Sequence, residues 1–350
     1  MGNVRLCPHA REIDYVNDYV AQLPEIVDLD RIAASGLKIR ADALGGSSAR
    51  YWNAIAERYH LDITVVNDCC DPTFSFMHLD HDGRIRIDCS SPCAMRGFLA
   101  GADRFDLACA NDPDADRHGI VTKSSGLMNS NHYLAVMADH LFRTRSDWPH
   151  SLGIGRTMVT SEMLDRIAQY HGRHITEHSI GFKWFVEGLV ARTLGVCGEE
   201  SAGAVFVRKN GSLWSTDKDG IICGLLAAEI MASAGHDPGM YYQKLEDGIG
   251  PVYWSRIDRT ASWAEQNQLL ETGSGRIDLR RLLDEPILSM ETVSRDGASF
   301  RGVKVRTKNG WFVATPNEVE CFNVYFAESF VSEEHRNRLL ESAYRLQELS

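Results

Sequence analysis

Over the first two thirds of the chain, short apolar runs alternate with stretches of helical spacing. Residues 36–42 predict a short strand, Gly45-Gly46-Ser47-Ser48 a turn and cap, and Tyr51, Trp52, Ile55 and Ala56 one face of a helix reaching His60. Residues 61–66 and 105–110 predict the next two strands. Strands alternating with helices imply a parallel sheet, whose ligands gather at the carboxyl ends of its strands. A second unit of this kind begins near Leu152. It has a helix over 162–171 capped by Ser161, an amphipathic stretch over 182–191, a strand over 194–197, and a helix over 221–234. The last is apolar nearly all round and is therefore buried. Residues 255–285 are polar and charged and predict a helical linker. The end of the chain changes style, with strands over 299–307, 311–314 and 322–326 and a closing helix over 332–349. The expected class is α/β: two consecutive α/β domains with mostly parallel sheets plus a small C-terminal α+β domain. The expected segments are an extension or linker at 1–36 and domains at 37–150, 151–284 and 285–350.

Composition narrows the function. At 350 residues the chain exceeds one comfortable core. A net charge of −11 with no compensating basic run excludes a nucleic-acid or anionic-membrane partner. No stretch approaches a membrane span, and the first residues lack the apolar core of a signal peptide. Met1-Gly2 fails as a myristoylation site because Leu6 stands where Ser or Thr is required. The nine cysteines include no CxxC pair, which predicts reduced thiols in a cytoplasmic protein rather than a disulfide scaffold or zinc site.

The densest chemistry lies at 107–119, where an apolar run ends in Asp112, Asp114, Asp116, Arg117 and His118. Two carboxylates ~5 Å apart repel by ~3 kcal/mol at an effective dielectric of ~20. A short loop presenting three of them calls for a hard cation, with Mg²⁺ first. An EF-hand is excluded, since Arg117 and Lys123 occupy the positions that need Gly and Glu.

Many ordered motifs resemble the α-D-phosphohexomutase superfamily, in its bacterial phosphoglucomutase branch. They include Leu44-Gly45-Gly46 with Tyr51-Trp52, Asp71-Pro72-Thr73-Phe74, Asn111 through Val121, and Asn131-His132-Tyr133-Leu134. Gly181-Phe182-Lys183-Trp184-Phe185, Gly198-Glu199-Glu200-Ser201-Ala202-Gly203, Thr216-Asp217-Lys218-Asp219-Gly220 and Asn309-Gly310-Trp311-Phe312 continue the likeness. The resemblance implies four domains around one cleft, giving in turn a phosphoserine, a Mg²⁺ loop, a sugar-binding loop and a phosphate-binding loop. By it, Asp112, Asp114 and Asp116 hold Mg²⁺, and Glu199 and Ser201 grip sugar hydroxyls. Arg117 either meets a substrate phosphate or balances the aspartates. Lys183 matches a lysine that assists proton transfer or holds phosphate. His118 is a candidate acid–base or a packed histidine. His178, where the branch has proline or an apolar residue, is a further acid–base candidate.

The chain also departs from the pattern. No Thr-Ala-Ser-His-like serine loop is found, and the family's Arg-Pro-Ser-Gly-Thr-Glu loop reads Thr315-Pro316-Asn317-Glu318-Val319-Glu320. The expectation is a Mg²⁺-dependent enzyme on a sugar phosphate or sugar-containing metabolite. It would work without phosphoserine chemistry, by hydrolysis, isomerisation or elimination, and would not be a standalone mutase. A non-catalytic sugar-binding or regulatory subunit, and a split mutase needing a separate serine domain, are the alternatives. Apolar surface left by a missing first domain predicts a homodimer.

Overall fold

The computed structural model describes residues 11–80, 83–273, 281–293, 299–317 and 321–345. The described residues begin with two short helices, α1 (Tyr15–Gln22) and α2 (Leu29–Ser35). Each is started by an aspartate, Asp14 and Asp28, whose carboxylate accepts a backbone N–H of the first turn. Residues 15–35 are therefore more than an extension. Val20, Leu23, Ile26 and Val27 are wholly buried in the main core.

The first sheet is ordered β2-β1-β3-β4-β5. Strands β1 (Ile39–Asp42), β2 (Ile63–Val66) and β3 (Leu107–Asn111) run parallel, while β4 (His118–Thr122) and β5 (Gly126–Leu127) add on antiparallel. Helices α3 (Ala49–Tyr59) and α4 (Arg96–Leu99) belong to this unit. Helix α5 (Ser130–Thr144) leads into the second sheet, ordered β7-β6-β8-β9. There β6 (Gly153–Thr157), β7 (Ile175–His178) and β8 (Leu194–Gly198) are parallel and β9 (Ala204–Phe206) is antiparallel. Helices α6 (Met163–Tyr170), α7 (Val186–Val190), α8 (Gly220–Ala234) and α9 (Pro238–Ile249) complete it. As its all-round apolar sequence predicts, α8 is buried: Ile222, Cys223, Leu226, Ala227 and Ala228 have no exposure. It lies against β3, β4 and β9, and so serves both units.

The helical-linker reading of 255–285 is corrected. Tyr253–Thr260 is a strand, β10, paired antiparallel along its whole length with the last strand of the chain. Helix α10 (Trp263–Gly273) follows, then a two-stranded ribbon of β11 (Arg281–Leu282) and β12 (Glu285–Pro286). The physical reason is that no residue of this edge strand is fully buried and its charges fall on both faces, Arg256 and Asp258 on one and Arg259 on the other, so no alternation marks it. The C-terminal sheet is ordered β10-β16-β15-β14-β13, all antiparallel, from β13 (Ser289–Val293), β14 (Ser299–Arg306), β15 (Gly310–Pro316) and β16 (Phe322–Ser329). Helix α11 (Glu333–Arg345) packs on it, with Leu339, Leu340 and Ala343 inward. The α/β class with two mostly parallel units and a C-terminal α+β unit stands.

Candidate functional site

The loop between β3 and β4 carries Asp112, Asp114 and Asp116, each offering one carboxylate oxygen within 4.8 Å of the others. Neighbouring segments fix its backbone. Ala115 adopts a left-handed φ of 64°, and its N–H donates to Asp112 O. Ser47 N–H donates to Pro113 O at 2.8 Å, and a Cβ on Gly46 would meet Pro113 Cα at 2.4 Å. On the other side Gly220 N–H donates to Ala115 O, and a Cβ there would meet Arg117 O at 2.1 Å. Below, the Trp52 indole N–H donates to Asn111, whose own amide donates to Arg117 O. Only glycine allows so close an approach of three backbones.

Asp112 is 1% exposed, and burial pushes its carboxyl up to about 6 although Arg117 opposes the shift. Arg117 Nε donates to Asp112 Oδ2 at 2.6 Å and reaches Asp116 at 3.8 Å and, through Nη1, Asp88 at 3.7 Å. Lys218, just before α8, places Nζ 2.7 Å from Asp116 and 3.8 Å from Glu199. Burial, reinforced by Glu200, pushes the Glu199 carboxyl up to about 7, with Lys218 pulling the other way. All the donors are hard oxygens, crowded and short of positive charge, which fits a divalent ion such as Mg²⁺.

The sugar-loop candidates fold back on this loop. Residues 198–203 make a tight turn in which Glu199 N–H donates to Gly203 O and Ala202 takes a left-handed φ of 70°. Arg117 and Gly203 form a β-bridge, and His118 N–H donates to Ala202 O. Glu200, Ser201 and Arg117 then face a cleft of about 710 Å³ between all three units. Arg86, Asp88 and Ser130 join them from the first two, and Trp254, Arg256 and Asn317 from the C-terminal sheet.

The remaining sequence candidates, His118, Lys183 and His178, do not line that cleft. His118 is buried, packs edge-on against Tyr133 at 5.1 Å, and is pushed down to about 3 by burial, so it stays neutral. Lys183 is exposed, with Nζ 5.2 Å from the ring of Trp184. The His178 ring meets Thr176 Oγ1 at 2.9 Å and the edge of Phe185. The turn after β15 is described only as far as Asn317; Glu318, Val319 and Glu320 lie outside the described residues. Sequence reasoning missed Lys218, although its motif was in view, because nothing local shows that it reaches Asp116. Arg256 was hidden by the linker reading, and Arg86 and Asp88 show only the faint alternation of 84–88.

With that geometry in hand, the chain is assigned. Residues 17–126 match the family model "Phosphoglucomutase/phosphomannomutase, alpha/beta/alpha domain II", and residues 129–247 match that of domain III. The chain belongs to the phosphohexomutase superfamily. A relative from Komagataeibacter xylinus named phosphoglucomutase is 48% identical over 329 residues, covering 94% of this chain and 59% of its own length. Phosphoglucomutase 2 of Saccharomyces cerevisiae is 27% identical over 217 residues, or 58% of this chain and 37% of the relative. The chain thus spans from about two fifths to three fifths of the curated relatives it matches. Among solved structures, pp63/parafusin from Paramecium superposes with a TM-score of 0.76 at 18% identity, covering 97% of this chain and 63% of that one. The Aspergillus fumigatus N-acetylphosphoglucosamine mutase, solved with GlcNAc-6P and magnesium, gives a TM-score of 0.58 at 13% identity, covering 93% and 64%. The expectation that the chain is not a standalone mutase finds no support in these likenesses. Among the described residues, no helix is long and apolar enough to cross a membrane.

Proposed function

We propose that this chain supplies the metal-binding and sugar-binding parts of a phosphoglucomutase-type site and acts on a hexose phosphate with Mg²⁺. The observation that carries the reading is Lys218, shared between Asp116 of the metal loop and Glu199 of the sugar loop. One side chain therefore ties the place where a phosphoryl group would be held to the place where sugar hydroxyls would be held. Asp112, Asp114 and Asp116 would hold the ion, which when bound neutralises charge on a phosphoryl oxygen. Arg117 would give a second, fixed positive charge beside it. Glu199, pushed up to about 7, is poised to exchange a proton with a sugar hydroxyl near neutral pH, and Lys218 to donate a hydrogen bond to the same group. Ser201, on the cleft wall, adds a neutral donor and acceptor. The identity to a relative named phosphoglucomutase favours phosphoryl transfer between sugar positions over hydrolysis, isomerisation, elimination or a non-catalytic role.

Calorimetry with glucose 1-phosphate and glucose 6-phosphate, in Mg²⁺ and in EDTA, tests this. Binding is expected only with Mg²⁺; none in either condition overturns the reading. A coupled assay run beside it separates the reactions. Interconversion of the two phosphates supports the mutase, and release of inorganic phosphate supports a hydrolase instead.

A further inference from the structure

Away from the cleft, the second half of α5 and the first turns of α9 border another cavity, of about 280 Å³. Its wall takes Asp139 and Arg143 from α5, Tyr241, Lys244 and Leu245 from α9, and His236 from the turn between α8 and α9. The carboxylate in this wall is already committed. Asp139 is 1% exposed and accepts from Arg143 Nε at 2.6 Å, Tyr241 Oη at 2.7 Å and His171 Nε2 at 2.8 Å. Asp237, beside His236, is committed too, to Ser124 and the N–H of Met240. The cations are not. Arg143 gives Asp139 only its Nε, so the buried carboxylate fixes the stem of a side chain that is 45% exposed. Its guanidinium lies 5.2 Å from the Tyr170 ring, and its other two nitrogens meet no carboxylate or carbonyl among the described residues. Lys244 is exposed and has no ion pair or hydrogen bond among the described residues. The His236 ring stands edge-on to Tyr241 at 5.7 Å, with Nδ1 turned to Asp237 O at 3.4 Å.

We propose that this cavity is a second anion site, built for a phosphoryl group. A planar carboxylate is satisfied by one arginine, whereas a guanidinium, an ammonium and an imidazole from three elements suit the several oxygens of a phosphate. The volume lies just below the ~300 Å³ at which small-ligand pockets begin, which admits inorganic phosphate or a short phosphomonoester and excludes a nucleotide. The site is separate from the cleft. Ser130, which lines the cleft, stands at the head of α5 and Arg143 near its end, roughly 20 Å apart at ~1.5 Å per residue. The proposal is therefore independent of the hexose-phosphate reading. The structural alternative is that Arg143 only balances Asp139 and Lys244 only faces water.

The test follows the His236 ring resonance by NMR, assigned from its loss in His236→Gln. Inorganic phosphate is titrated into the whole chain without Mg²⁺, at fixed pH and at an ionic strength held with sodium chloride. The resonance is expected to move and saturate. One charge-assisted hydrogen bond corresponds to roughly 10-fold or more in affinity. Lys244→Gln and Arg143→Gln should each weaken the titration by about that factor, and Arg117→Gln, in the cleft, should leave it within about 2-fold. Lys244 is exposed, so its variant keeps the test decisive if Arg143→Gln, which disturbs buried Asp139, fails to fold. A movement that never saturates, or one that both Lys244→Gln and Arg143→Gln leave unchanged, overturns the site. Loss of the movement in Arg117→Gln does so too, because the signal would then report the cleft. Succinate binding as tightly as phosphate overturns the phosphoryl assignment.

Discussion

Two regions of this molecule gather charge, and they balance it differently. Between the second sheet and the C-terminal sheet, Arg156, Lys304 and Arg306 meet Asp165, Glu162 and Glu177. Arg156 Nη1 and Lys304 Nζ both lie 2.7 Å from Glu177 Oε2, and Lys304 also donates to Met158 O. Three cations face three carboxylates. Glu328, pushed up to about 7 by burial, accepts from Ser161 and Trp311 at the edge of the group. At the aspartate loop the sum does not close: Asp112, Asp114 and Asp116 stand beside Arg117 and Lys218, and Lys218 is shared with Glu199. The neutral cluster is a joint. The acidic excess fits a cation from outside, and that contrast distinguishes the two clusters more clearly than burial does.

The largest effect that would break this contrast comes from the joint. Lys304→Met leaves the buried Glu177 short of a partner, and urea denaturation should show a loss of about 3–5 kcal/mol. Mg²⁺ affinity of the folded variant should stay within about 2-fold, because the side chain touches no part of the cleft. A loss of stability below about 1 kcal/mol would mean that the network is not what joins the sheets.

Acid probes the same joint. Burial alone would raise the Glu177 carboxyl, but Lys304 and Arg156 hold it down to about 2. A depressed carboxylate stabilises the folded state at pH values above its unfolded pKa. That contribution is lost as pH falls toward the folded value. Unfolding followed between about pH 5 and 2 should lose about 3 kcal/mol from this group, and Glu177→Gln should flatten that part of the profile. Equal slopes in the two proteins would count against the pairing.

The aspartate loop should answer in the opposite way. Asp114→Asn removes one charge from a repelling set, so stability should hold or rise by a few tenths of a kcal/mol. Mg²⁺ affinity measured by calorimetry should fall roughly 100-fold, the upper end of what even outer partners of a metal contribute. Unchanged affinity would remove the metal from the site.

How much of this was legible follows the range of the interactions. Strands β3 and β8 and helix α8 announce themselves by nearly continuous apolar runs, because burial on all sides leaves no room for alternation. The three aspartates are legible because their chemistry is contained in one loop. Strand β10 was not, since its pairing partner, β16, lies far along the chain and charges on both of its faces let it pass for a solvated helix. Lys218 and Glu199 are nineteen positions apart and meet only through the fold. Arg256, likewise, belongs to the cleft only because the C-terminal sheet brings it there.

Helix α8 has a consequence for anyone who would take this protein apart. It is spelled after the sugar loop, yet Gly224 lies against Trp52 and Cys109 of the first unit, and Asp219 at its head binds Tyr19 of α1. A clone ending before residue 219 would leave β3, β4 and Trp52 with a bare oily wall, and one beginning after the first sheet would carry a greasy rod with nothing to lie on. The two α/β units are separate in family nomenclature but share one keel. Shuffling, swapping or expressing them singly has to carry α8 along with the first sheet, joined by a new linker, or it will yield inclusion bodies in place of a domain.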